Sequence, residues 1–253
     1  MTEHGVVNKL LEAHIKRLQD KAWEIFPYPC IGLFEFVKFN LPTYPAYAHV
    51  LSLLQRDHGA VYLDVGCCVG QDLRYLRSHE RIPPSQLVGA ELQQEFIDLG
   101  HELFLDSPEE TGIRMQAADI FDAHSWLEKE MRGKCAVVHA SYFLHLFNYA
   151  RQREAAERLV GYLRGRPGDV IVGRMIGSAV AGEYMHPTVG VMMRHDLASF
   201  GKFWDEVGSR TGRKLKVECQ IDPNTVRVSP EGKRFDHPPE EKATEMVFSI
   251  TCE

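Results

Sequence analysis

Apolar residues fall along this chain in two rhythms. Val61, Leu63 and Val65, then Leu87 to Ala90, Cys135 to Ala140, and 169–175 are short, nearly continuous apolar runs. They predict strands buried on both faces of a parallel sheet. Between them apolar positions recur every three or four residues, with Leu73 and Leu76 in 72–78, and again over 94–105, 125–131 and 149–163. Phe200, Phe203, Trp204 and Val207 continue that period over 196–211. These segments predict helices, as does 47–56 before the first strand. Near the N-terminus Val7, Leu10, Leu11, His14, Ile15 and Leu18 predict one more, over 6–22. The rhythm then changes to strict alternation. Leu215, Val217 and Cys219 answer Met246, Phe248 and Ile250, which predicts a terminal antiparallel pair joined by a polar loop over 222–242. The stretch 177–193 is a glycine-containing insertion. The order predicts an α/β fold of five parallel strands followed by an edge hairpin.

Two stretches depart from these rhythms. Residues 26–45 carry Phe26, Tyr28, Phe34, Phe36, Phe39 and Tyr44 among four prolines. They read as an N-terminal cap over 1–56 that either completes the core or closes over a hydrophobic ligand, with 57–253 as the core proper. The second stretch follows the first strand. Asp64 closes the apolar run, Gly66 and Gly70 bracket Cys67, Cys68 and Val69, and Gln71 with Asp72 opens a helix. Strand, glycine turn and helix N-terminus form the nucleotide-binding crossover of doubly wound folds. Cys68 occupies the place of the middle glycine in G-x-G-x-x-G, so a dinucleotide pyrophosphate is not the expected ligand. Glu91 closes the second run 21 residues past Gly70, near the spacing at which an acid meets ribose hydroxyls. Two carboxylate oxygens there accept from both hydroxyls. Asp119 ends a further apolar step before Ile120.

Composition narrows the partners. A net charge of -6 in 253 residues argues against a nucleic-acid binder, which carries a basic stripe. No run of about 18 apolar residues suggests a membrane span or anchor, and a cytoplasmic protein is expected. The six cysteines show neither disulfide-framework nor C-x-x-C metal spacing, so no metal site is expected. A homodimer is the oligomer to consider.

Longer motifs carry a resemblance. Pro29-Cys30-Ile31, the run Leu63 to Arg74, Phe96-Ile97-Asp98-Leu99-Gly100, Glu102-Leu103-Phe104, Phe143-Leu144-His145-Leu146-Phe147 and Arg194-His195-Asp196 with Ser199-Phe200 resemble fungal class I S-adenosylmethionine-dependent methyltransferases of secondary-metabolite clusters, including carboxyl O-methyltransferases of meroterpenoid pathways. The resemblance extends from Trp23 to Arg213. It implies the Rossmann-like seven-stranded class I fold with a helical N-terminal cap, S-adenosylmethionine as cofactor, and a small hydrophobic methyl acceptor. Cofactor contacts are then expected at Asp64, Gly66, Cys67, Gly70, Glu91, Leu92, Asp119, Ile120, His139 and Ala140. His145 and Arg194 are the catalytic candidates. A carboxylate acceptor is already ionised at neutral pH and needs positioning, for which a bidentate arginine suits. A phenol needs a base, and His145 is the candidate. A cofactor-binding subunit without turnover remains the alternative outside enzymology.

Overall fold

The apolar runs assemble into one seven-stranded sheet. The computed structural model describes residues 3–222 and 243–253, with side chains from residue 8 onward. The loop expected over 222–242 therefore lies, Asp222 apart, outside the described residues. Strands β1 (Val61–Val65), β2 (Leu87–Glu91), β3 (Arg114–Ala117), β4 (Cys135–His139) and β5 (Val170–Ser178) run parallel. Strands β6 (Gly182–His186) and β7 (Gly190–Arg194) form a separate antiparallel pair. Strands β8 (Leu215–Ile221) and β9 (Ala243–Cys252) complete the main sheet in the order β3-β2-β1-β4-β5-β9-β8. The chain moves outward from β1 to β3 and returns to β4, so the order reverses between β1 and β4. In open α/β sheets that switch point opens the ligand crevice at the carboxyl ends of the strands.

Nine α-helices are described: α1 (Glu3–Ile25), α2 (Pro29–Gly32), α3 (Tyr47–Arg56), α4 (Gln71–Ser78), α5 (Gln94–Phe104), α6 (Pro108–Thr111), α7 (Trp126–Met131), α8 (Tyr149–Tyr162) and α9 (Leu197–Thr211). Three core clusters result. Leu159, Phe200, Phe203 and Trp204 pack α8 and α9 on one sheet face, against Val138, Ile171 and Phe248. Val50, Leu54, Leu73 and Leu76 pack α3 and α4 on the other, against Tyr62 and Val137. Leu18, Ala22, Ile31 and Phe36 of the N-terminal segment close over Phe96, Leu99 and Val69. That third cluster brings the aromatic stretch next to the glycine turn.

Several expectations change. β9 lies inside the sheet between β5 and β8, so only one strand of the terminal pair is at the edge. β5 runs on to Ser178 because Ile176, Gly177 and Ser178 pair with Glu245, Thr244 and Ala243. The 177–193 insertion is largely the β6–β7 hairpin. On α1 the inward positions are Leu18, Gln19 and Ala22, while Leu10 and Leu11 are exposed. At Leu10 and Leu11 the helix therefore outruns the body it packs on among the described residues. No helix among the described residues is long and apolar enough to cross a membrane.

Candidate functional site

A cavity of about 590 Å3 opens at the switch point, within the range of small-molecule sites. Its floor is the turn after β1. Gly66 N–H (2.8 Å) and Cys67 N–H (3.1 Å) both donate to Ala90 O, folding the turn over the end of β2. Gly66 sits at φ +75, and a Cβ there would lie 3.0 Å from the Phe143 ring. Cys68 holds φ +50 and Tyr142 also φ +50. Both line the cavity, and such left-handed side-chain-bearing residues persist only where surroundings impose them.

Glu91 stands at the end of β2. Its Oε2 accepts Cys68 N–H at 2.9 Å; Oε1 accepts Leu92 N–H at 2.8 Å and Gln93 N–H at 3.2 Å. Burial raises its carboxyl above the ordinary value; those N–H groups oppose the rise and the Asp64 charge adds to it. Three of roughly four lone-pair sites of the carboxylate are thus taken, and Oε2 is the freer oxygen. One ribose hydroxyl fits there more readily than the two expected. Leu92 and Ile120 line the same wall, with Asp119 at the exposed rim, its Oδ1 accepting Phe121 N–H at 2.8 Å.

On the β4 side His139 Nδ1 and Asp64 Oδ1 are 2.9 Å apart, both side chains buried. Burial alone would lower the imidazole pKa, but the Asp64 charge and hydrogen bond, with the Asp72 charge, raise it. Asp72, in the first turn of α4, accepts Leu41 N–H at 3.2 Å. Its carboxyl is pushed up to about 6 by burial, His139 opposing and Asp64 reinforcing.

The remaining wall belongs to the loop after β4 and to the hairpin. His145 is 7 % exposed on a 3-10 turn (Leu144–Leu146), its ring 6.3 Å from that of Tyr142. Tyr142 donates its hydroxyl to Glu245, which also accepts Arg174 Nη1 at 2.7 Å. Arg194, at the end of β7, is 1 % exposed with its guanidinium 5.6 Å above the Tyr184 ring. His186 faces the cavity from β6; burial and then the Arg194 charge lower its pKa, which favours the neutral ring.

The cavity brings together ten of the twelve anticipated residues: Asp64, Gly66, Cys67, Glu91, Leu92, Asp119, Ile120, His139, His145 and Arg194. Gly70 and Ala140 do not line it. Gly70 caps α4 at φ +66, where a Cβ would meet Met115 Sδ at 2.5 Å; its constraint is packing beneath the turn. Ala140 is fully buried in the α8–α9 cluster, because alternation along the strand turns it away from the face of His139. Sequence reasoning passed over Cys68, Ser141, Tyr142 and Asn40, all of which line the cavity. Nothing in residue type marks a left-handed Tyr142. Asp72 was legible only as a helix-start acid.

The meroterpenoid methyltransferase N-terminal domain matches residues 2–37. The O-methyltransferase phiE of a fungal species (strain ATCC 74256) is 43 % identical over 207 residues, covering 81 % of this chain and 68 % of that one. Methyltransferase trt5 of Aspergillus terreus is 39 % identical over 216 residues, covering 85 % and 76 %. The chain belongs to this family of fungal secondary-metabolite methyltransferases. Among solved structures, the match to the Burkholderia thailandensis 1,6-didemethyltoxoflavin-N1-methyltransferase (TM-score 0.52, 13 % identity) covers 100 % of this chain and 91 % of that one. The [4+2]-cyclase SpnF (TM-score 0.53, 14 % identity) covers 81 % and 80 %. At such identities these two share the class I fold alone.

The methyl donor of the methyltransferase is S-adenosylmethionine, and the residues present fit it. Gly66 leaves the turn free of a side chain at the cavity wall, Glu91 offers a carboxylate held by three N–H groups, and an imidazole nitrogen of His139 is buried without a partner among the described residues.

Proposed function

We propose that this methyltransferase forms methyl esters, acting as an O-methyltransferase on a carboxylate of a small hydrophobic secondary metabolite. The observation that carries this reading is Arg194. Its side chain is almost wholly buried, yet it lines the cavity that the glycine turn opens onto. A guanidinium at the wall of such a cavity suits a carboxylate, which it can bind bidentately. The names of phiE as an O-methyltransferase and of the family's N-terminal domain as meroterpenoid support oxygen as acceptor and a terpenoid-polyketide scaffold. The cofactor supplies an electrophilic methyl group on sulfur. The chain's own task is to align a carboxylate oxygen behind it and exclude water. Arg194 holds the acceptor, and Phe143 and Phe147 wall it.

A phenol acceptor is the second reading. It is favoured by His145, buried beside Tyr142 in the same wall, where it would take the phenolic proton. Incubation with methyl-labelled S-adenosylmethionine and a prenylated benzoic acid, or the matching phenol without the carboxyl, separates the two. The ester reading expects base-labile label in the acid and a rate nearly flat above about pH 6. It expects Arg194→Ala to raise the acceptor KM about 10–100-fold with S-adenosylhomocysteine affinity unchanged. A base-stable methyl ether, with a rate rising near pH 6.5 and reduced about 10²–10⁴-fold in His145→Ala, would replace it by the phenol reading.

A further inference from the structure

We propose that His139 Nε2 donates a hydrogen bond to the α-carboxylate at the amino-acid end of the cofactor, with Asp64 and Asp72 as positioning residues that orient and charge the ring.

The placement follows from strand order. Asp119 lies beyond β3, Glu91 ends β2, the glycine turn ends β1 and His139 ends β4, in the spatial order β3-β2-β1-β4. A nucleoside whose ribose meets Glu91 and whose base lies toward Asp119 extends its other end across the turn, toward β4. There His139 has one nitrogen committed and one not. Nδ1 faces Asp64 at 2.9 Å, while Nε2 has no partner among the described residues although the residue is 1 % exposed. A buried polar atom left unpaired is costly, so a group that satisfies it is bound at a gain. The ring lines the cavity, and of its two nitrogens only Nε2 remains to be offered there.

The charges around the ring decide what it takes. Facing it are Asp64 and Tyr62 from β1, Asp72 from α4 and Tyr44 from the N-terminal segment, with both tyrosine rings 5.8 Å away. Tyr44 is itself tied to Ser141, 2.7 Å from hydroxyl to hydroxyl. Two carboxylates and no cation among these groups favour the protonated ring, and the raised pKa agrees. With Nδ1–H given to Asp64, a protonated ring presents Nε2–H, a donor. A zwitterionic amino-acid group is the complementary chemistry: its carboxylate answers the imidazolium and its ammonium the flanking carboxylates. The inference holds whichever atom accepts the methyl group, so it stands apart from the ester reading.

Calorimetry tests it without turnover, using four probes: S-adenosylhomocysteine, its decarboxylated analogue (amine kept), its deaminated analogue (carboxylate kept) and methylthioadenosine. Wild type should bind S-adenosylhomocysteine about 10–100-fold more tightly than the decarboxylated analogue, the range of a charge-assisted hydrogen bond. His139→Gln should lose most of that preference while binding methylthioadenosine as wild type does. Wild type alone supplies the second measurement. S-adenosylhomocysteine affinity should fall as pH rises through the raised pKa of His139, and affinity for the decarboxylated analogue should not follow. Asp64→Asn or Asp72→Asn should move that fall to lower pH, because each removes a charge that holds the proton. An unchanged carboxylate preference in His139→Gln overturns the proposal. So does a pH dependence shared by the decarboxylated analogue, or a preference lost against the deaminated analogue instead, which would make Nε2 an acceptor for the ammonium. Loss of methylthioadenosine binding by wild type would instead count against the nucleoside site itself.

Discussion

Asp72 shows how a single residue trades stability for charge. Its carboxyl is buried, and in the folded chain burial pushes it from 3.8 up to about 6. A carboxyl whose folded pKa is raised binds its proton more tightly when folded. Its contribution is therefore best at acid pH and is lost as pH climbs from about 4 to about 6, after which the cost is constant at about 3 kcal/mol. Asp72→Asn keeps an oxygen for Leu41 N–H and removes that cost. Thermal unfolding of the cofactor-free variant should show a gain of about 1–3 kcal/mol at pH 8 that vanishes near pH 4; an equal gain at both pH values would mean that ionisation is not its cause. Glu91, whose carboxyl burial also raises, is an acid kept for a ligand. Glu91→Ala should weaken S-adenosylhomocysteine binding by about 1.5–3 kcal/mol, read by calorimetry. Gly66→Val should abolish it with the far-ultraviolet circular dichroism unchanged, because the left-handed φ and the Phe143 ring both oppose a side chain.

Elements explain why these residues meet. α9 begins with a full capping box: Asp196 Oδ1 accepts Ser199 N–H at 2.7 Å and Ser199 Oγ accepts Asp196 N–H at 3.1 Å. His195, just before it, lies 2.8 Å from Gln152 Oε1, and Gln152 in turn donates to Leu144 O at 2.8 Å and Met193 O at 3.3 Å. One buried glutamine thus ties the turn bearing His145 to the strand that ends in Arg194. Gln152→Leu should destabilise the fold by about 1–3 kcal/mol and raise the acceptor KM, while S-adenosylhomocysteine affinity stays as in wild type. Weakened cofactor binding of similar size would show that the hairpin and the cofactor wall are not separable. The motifs around 143–147 and 194–196 were legible in the sequence, and so was the α9 start. Their union through Gln152, in the middle of α8, was not, because a polar residue on a helix face reads as solvated until a neighbouring element buries it.

At the scale of the whole molecule, the N-terminal segment is part of the cavity. Tyr28, Cys30, Phe36 and Asn40 line it, and Leu18 and Ala22 of α1 cover Phe96, Leu99 and Val69. Three bonds tie residues 41–44 to the core: Leu41 N–H to Asp72, the Tyr44 hydroxyl to Ser141, and Arg174 Nη2 to Thr43 Oγ1 at 3.2 Å. Removal of residues 1–28 should expose the α5 face. The truncated chain should then bind 8-anilinonaphthalene-1-sulfonate, unfold at lower temperature, and bind S-adenosylhomocysteine at least about 10-fold more weakly. Undiminished binding would mean that this segment serves the acceptor end alone.

By itself the sequence determined the elements whose periods are strong: the buried strands β1, β2, β4 and β5, the amphipathic helices α3 to α5 and α7 to α9, and the turn from Asp64 to Asp72. Each is dictated locally, by runs of apolar side chains, by a 3.6-residue repeat, or by glycines where the backbone turns left-handed. The seven-stranded order with β9 inside, the β6–β7 hairpin, and the exclusion of Gly70 and Ala140 from the cavity were decided only in three dimensions. Sheet order depends on which edges remain to be paired, and orientation at a strand end depends on which face the neighbouring helix covers. The His139 nest follows the same rule. Asp64, Asp72, Tyr44 and His139 lie up to 95 residues apart in sequence, and only when parallel strands bring Asp64 beside His139 do their charges act on one proton.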